Sequence, residues 1–109
     1  MEVIGQNDQA ATVGTEHTLV TDTPLTGKTY VLIVDTGAMV DGDTLELRVY
    51  TKVRTGGTSR VAYGPKSWSN AQAEPQKYSV PVPADVEYQA TLKQTEGTGR
   101  TFPWKVVAL

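Results

Sequence analysis

A chain of 109 residues with a formal net charge of −2 and a pI near 5.3 has the length of one domain, large enough to remove roughly two-thirds of its unfolded surface from water. The absence of cysteine excludes a disulfide framework, thiolate chemistry and a cysteine-based zinc site. The acidic balance gives no sequence-independent pull toward nucleic acid, and the longest apolar run, Tyr30 to Val34, is far shorter than the roughly 20 residues that cross a bilayer as a helix.

The first residues, Met1 to Gly14, scatter Val3, Ile4 and Val13 among Gln, Asn, Asp and Thr. This composition predicts an extended N-terminal arm over 1–14, outside a single β domain over 15–109. The arm is expected to lie against a neighbouring subunit, with Glu2, Val3 and Ile4 among the partner-binding residues. It has neither the basic nor the apolar region of a signal peptide, so synthesis in the cytoplasm is the expectation.

Strand patterns follow. Glu16 to Thr21 precedes a turn over Asp22 to Gly27, and Lys28 to Asp35 is a continuous β-branched run that predicts burial on both faces. Met39 and Val40 are expected to tuck beneath the sheet. Leu45 to Val53 alternates apolar and polar residues without a break, which predicts Leu45, Leu47, Val49 and Val53 inward and Arg48, Tyr50, Lys52 and Arg54 outward. Gly56-Gly57 marks a reversal. Ser59 to Tyr63 is the next strand, which Gly64-Pro65 is expected to break or bend, and Gly64 to Pro75 reads as a loop anchored by Trp68.

Lys77 to Val82 predicts a strand with Tyr78, Val80 and Val82 inward and Pro81 at an edge or bulge, because proline cannot donate to a ladder. Val86 to Thr95 places Val86, Tyr88, Ala90 and Leu92 on one side. Glu96 to Gly99 closes the last hairpin, and Arg100 to Ala108 aligns Phe102, Trp104 and Val106. Seven or eight such strands with no helical stripe predict an all-β fold, an antiparallel β-sandwich or jelly-roll-like barrel.

Chemistry-bearing residues are sparse. His17 is the only histidine, without a Gly-x-Ser-x-Gly elbow or an evident nucleophile, so a solvent-facing or hydrogen-bonding role is expected. Asp35, Asp41 and Asp43 suggest calcium, but their spacing does not match the EF-hand pattern and aspartate beside glycine is ordinary turn chemistry. Arg48, Tyr50 and Lys52 interleave charge with an aromatic, as in single-strand nucleic-acid binders. With Glu46 on the same face of an acidic chain, a protein contact is the better reading. Trp68, in a Ser-, Asn- and Gln-rich stretch, is the best candidate for an exposed aromatic contact.

Three segments carry a resemblance: Thr44-Leu45-Glu46-Leu47-Arg48-Val49-Tyr50, Arg60-Val61-Ala62-Tyr63, and the hairpin from Thr91-Leu92-Lys93-Gln94-Thr95 to Phe102-Pro103-Trp104-Lys105-Val106. They resemble a family of small proteins encoded in tailed-bacteriophage genomes. The resemblance spans Glu16 to Val107 and brings no catalytic motif, cofactor or metal ligand. It implies a phage setting, in which a small all-β protein without an active site is similar to capsid decoration, or cement, proteins. The implied partner is the major capsid protein of a phage head, with a homo-oligomer, a trimer favoured, on the capsid surface and no nucleic acid or membrane. The alternatives are a tail, neck or fibre-associated virion protein and a carbohydrate-binding host-surface module.

Overall fold

In the computed structural model, which describes residues 1–109, nine strands and no helix account for the regular structure. They are β1 (Glu2–Ala10), β2 (Glu16–Asp22), β3 (Lys28–Asp35), β4 (Thr44–Thr51), β5 (Arg60–Ser69), β6 (Gln76–Tyr78), β7 (Val82–Ala84), β8 (Tyr88–Glu96) and β9 (Thr101–Ala108). One sheet has the order β1-β9-β3-β6 with β7 also on β3, and the other the order β2-β8-β4-β5; every pairing is antiparallel. Strands β6 and β7 pair with opposite ends of the same β3, so they form one strand interrupted at Ser79–Pro81. Counted that way, the eight strands cross from one sheet to the other at every connection except the β4–β5 hairpin, which is jelly-roll connectivity, and the expected antiparallel sandwich is the fold observed.

Period-two alternation builds the core. Leu45, Leu47 and Val49 of β4, Ala90 and Leu92 of β8, Tyr30, Leu32 and Val34 of β3, and Phe102 and Val106 of β9 are all fully buried. They meet between the sheets as one cluster. Glycine at position 5 lets the layers close up: a Cβ there would stand 3.2 Å from Val20 Cγ2 and 3.3 Å from the Trp104 ring. At one end of the core Tyr30 and Tyr88 stack with centroids 4.1 Å apart. Their hydroxyls differ in environment. The Tyr30 hydroxyl donates to Asp22 Oδ2 at 2.5 Å, whereas the Tyr88 hydroxyl is buried without a partner. Burial pushes both phenol pKa values upward, aided at Tyr30 by the Asp22 carboxylate. Tyr88→Phe should therefore be neutral or stabilising, and Tyr30→Phe should cost about 1 to 2 kcal/mol because it strands Asp22. Urea denaturation of the two variants measures the difference.

Several expectations need correction. The first residues do not lie outside the domain: Glu2–Ala10 is a strand of the sandwich, paired with β9 of its own chain from Glu2↔Ala108 to Ala10↔Thr101. Its polar composition is that of an edge strand, solvated along one side. Of a break or a bend at Gly64-Pro65 the structure has the bend, since the ladder to β4 resumes after a register shift, with Leu47 opposite Lys66 and Leu45 opposite Trp68. Gly64 to Ser69 is thus strand, not loop. Tyr78 and Val80 point out and Ser79 is buried, because the Ser79 hydroxyl accepts from Leu32 N–H and donates to Val80 O across the interruption. That one-residue shift reverses the faces. Met39 is buried as expected, but Val40 is exposed, and Val53 lies in a loop beyond β4 rather than in the core.

Candidate functional site

The outer face of the β2-β8-β4-β5 sheet carries Arg48 and Tyr50, and its polar groups are largely engaged with one another. The Glu16 carboxylate accepts from the Tyr50 hydroxyl and from Thr91 Oγ1, both at 2.6 Å and through Oε2. Burial pushes the Glu16 carboxyl up, but these hydrogen bonds and the charges of Arg48 and Lys93 outweigh it, holding the group below the usual carboxylate range. The Tyr50 phenol is raised, first by its bond to Glu16 and then by burial. Arg48 pairs with Glu46 at 3.1 Å, and Lys52, just past the strand, pairs with Glu87 at 3.3 Å. With Glu16 and Glu46 beside Arg48 and Lys93 the face has no excess of basic charge, which leaves little with which to grip a phosphate backbone.

Trp68 sits on β5 opposite Leu45, so it turns to the inner side of the sheet and packs half-buried against the core. Lys66 and Lys77 place their ammonium groups 5.9 and 5.7 Å from its ring centroid, within cation–π range. Lys77 belongs to β6 of the other sheet, so the three side chains close the open flank of the sandwich. Trp68 is part of the wall, not an open sugar platform.

At the N-terminus the three remaining sequence-predicted residues separate. Glu2 pairs with Lys28 at 3.1 Å, Val3 lies about half-exposed opposite Val107, and Ile4, at a bulge in the ladder, packs on the core. The fold therefore does not gather the seven candidates Glu2, Val3, Ile4, Arg48, Tyr50, Lys52 and Trp68 into one site.

A cluster that sequence reasoning missed lies at one end of the sandwich. Asp43 is 1% exposed. Its Oδ2 accepts from Val40 N–H at 3.0 Å and Arg100 Nε at 2.8 Å, and its Oδ1 accepts from Thr98 N–H at 3.3 Å. Burial alone would raise its pKa; the donors and the Arg100 charge hold it below the usual carboxylate range. Next to it Gln94, fully buried, donates to Glu96 O and Thr98 O and accepts from Arg100 N–H. Asp41 and Asp35 instead accept backbone N–H groups of Ala71 and Gly37. The three aspartates do not converge on a cation position, and Asp43 spends its oxygens on structure. His17 likewise has a structural partner, since its Nε2 accepts from Thr12 N–H at 3.0 Å.

The outer face of the other sheet is apolar along one stripe. Val31 and Val107 are nearly buried there, flanked by Val3 and by Tyr78, the latter 59% exposed.

No family model and no curated protein matches the sequence. Solved structures do resemble the fold. The VP2 subviral particle of infectious bursal disease virus superposes with a TM-score of 0.55 at 12% identity, covering 93% of this chain and 28% of that one. A particle of the same virus gives a TM-score of 0.54 at 11% identity, covering 99% of this chain and 30% of that one. The chain spans less than a third of these structures, and at such identities the likeness is one of fold: a two-sheet, all-β sandwich shared with part of a protein from a virus particle.

Proposed function

We propose that the protein is a non-enzymatic structural component of a tailed-phage virion, and more closely a capsid decoration protein that binds the outer surface of the assembled head. The observation that carries this reading is the match of essentially the whole chain, as one sandwich, to part of a protein from a virus particle. Two features support it. The titratable side chains that might serve catalysis, His17, Asp43 and Glu16, are held in structural hydrogen bonds, and the residue segments quoted above resemble a tailed-phage family.

The physical advantage is linkage. A ligand that binds the assembled lattice and not its free subunits shifts the equilibrium toward the intact shell. Weak copies suffice when many bind, because each contact made by an oligomer raises the effective concentration for the next. A sandwich of two laddered sheets around one core suits that role, and a trimer on a local symmetry axis would multiply it.

The test uses particles of a phage whose gene for this chain is deleted. Such particles should assemble, release DNA at a lower temperature than the parent, and regain resistance when the purified protein is added. Particles of unchanged stability that do not take up the protein would remove the decoration reading in favour of a tail or neck component.

A further inference from the structure

A polar hollow of about 350 Å³ lies on the outer face of the β2-β8-β4-β5 sheet, lined by Glu16, Thr18, Tyr50, Ser59, Gln89 and Thr91. The ladder puts them there. Tyr50 of β4 stands opposite Gln89 of β8, Thr91 of β8 stands opposite Thr18 of β2, and Ser59 immediately precedes β5. To donate to Glu16 on β2, the Tyr50 hydroxyl reaches across β8, a span of two interstrand spacings or about 9.5 Å. The ring therefore lies along the sheet rather than standing away from it, and Tyr50 is only half-buried.

Much of the hydrogen-bonding capacity of this lining is unspent. Glu16 Oε2 accepts from Tyr50 and Thr91, but Oε1 receives no donor from the chain. Gln89 Nε2 donates to Thr18 Oγ1 at 3.1 Å, which leaves the second N–H and the carbonyl oxygen of Gln89 and the hydroxyl proton of Thr18 unused. The Ser59 hydroxyl, in the wall, is shielded from water and has no partner. Free donors and free acceptors are thus mixed around one aromatic ring.

We propose that this hollow is a saccharide-binding site, taking a neutral pyranose whose adjacent hydroxyls bond Glu16 Oε1 and the Gln89 amide while its C–H face packs on the Tyr50 ring. The lining selects that class of ligand. Every sugar hydroxyl both donates and accepts, which matches a wall of mixed free donors and acceptors, and the amphipathic tyrosine offers an apolar face with a polar tip. An anion would meet Glu16, which is ionised at neutral pH because its hydrogen bonds and the charges of Arg48 and Lys93 hold its carboxyl below the usual range. A hard cation needs six or more oxygens and finds a single carboxylate. An apolar molecule finds only Tyr50 to cover it. Such binding belongs to the isolated protein, whether or not it decorates a head.

The test is an amide ¹H–¹⁵N NMR titration of the full-length protein with the methyl pyranosides of glucose, galactose, mannose and N-acetylglucosamine, and with oligosaccharides of the same sugars. At least one should give saturable shifts centred on Glu16, Thr18, Tyr50, Gln89 and Thr91, with a Kd on the order of 1 mM for a few hydrogen bonds in an open site. Glu16→Gln, which exchanges a charged acceptor for a neutral one, and Tyr50→Ala, which removes the ring, should each weaken binding about tenfold. Tyr78→Ala, an exposed aromatic on the other sheet, should bind like the wild type. Tighter binding of oligosaccharides would assign the site to a polysaccharide chain, and equal affinities to a single sugar residue. No saturable shift with any of these sugars would overturn the site, as would binding lost in Tyr78→Ala and kept in Glu16→Gln. Shifts at the same residues that follow protein concentration rather than sugar would overturn it too, giving the face to a second copy.

Discussion

Replacing Asp43 with Ala should destabilise the fold by about 3 kcal/mol, lowering the melting midpoint by roughly 10 to 15 °C for a domain of this size. The side chain is only 2% exposed, against 29% for its partner Arg100. Truncation therefore strands two backbone N–H groups and releases the Arg100 side chain that fastens the β8–β9 turn to the β3–β4 connection. Asp43→Asn should cost less, because one oxygen remains, yet an amide NH₂ in place of Oδ2 would face the Val40 and Arg100 donors. Turned the other way, it would face only the longer Thr98 contact. Gly97→Ala should damage the same node from the opposite side. Its φ is +91°, and a Cβ there would overlap Asp43 Oδ1.

The same carboxylate sets an acid limit. Its folded pKa is depressed, so its contribution is fully present above the unfolded value of about 3.9 and is lost as pH falls through the folded one. Wild-type stability should decline below about pH 4 more steeply than that of Asp43→Asn, which has no such group to protonate. Thermal melts from pH 7 to pH 2 read both slopes.

Phe102→Ala should cost about 3 to 5 kcal/mol. Phe102 is the only phenylalanine and is fully buried, on a strand paired on both sides by β1 and β3. Its loss would leave a cavity that neighbouring strands, held by their ladders, cannot fill. Phe102→Leu should recover most of the loss, to within about 1.5 kcal/mol of the parent. Leu25→Ala, at a fully exposed position, should stay within about 0.5 kcal/mol. Chemical denaturation of the three variants separates core from surface, and a Phe102→Ala variant as stable as the Leu25→Ala variant would place the core elsewhere.

Alternation made β4, β8 and β9 legible because each has one face in the core and one in water: Leu45, Leu47 and Val49, then Ala90 and Leu92, then Phe102 and Val106 occupy the buried face as their spacing requires. The β-branched run of β3 was readable for the opposite reason. It is buried on both sides, with Val31 covered on the outer face and Leu32 in the core. Strand β1 was not legible, since an edge strand with Gly5 beneath Trp104 needs little apolar character to pair. Strand β5 was obscured by Gly64-Pro65, which local rules treat as a stop although the ladder continues past it. The Asp43 node could not have been read locally: its partner Arg100 is 57 residues away, and an aspartate next to glycine looks like an ordinary turn. Of the candidate contact residues, Arg48 and Tyr50 were placed correctly on an outer face, but the pairing that occupies them with Glu46 and Glu16 depends on tertiary register. Val53 continues the alternation of β4 in sequence, but the strand ends at Thr51 and the side chain is exposed in the turn beyond it.

The decoration function is tested most directly by locating and counting this chain in purified particles, by a reconstruction of the native virion together with quantitative mass spectrometry against the major capsid protein. The expected result is density on the outer head surface with a copy number on the scale of the major capsid protein, since cementing a lattice requires occupancy across it. A handful of copies confined to the tail or portal vertex, or none in the particle, would contradict it.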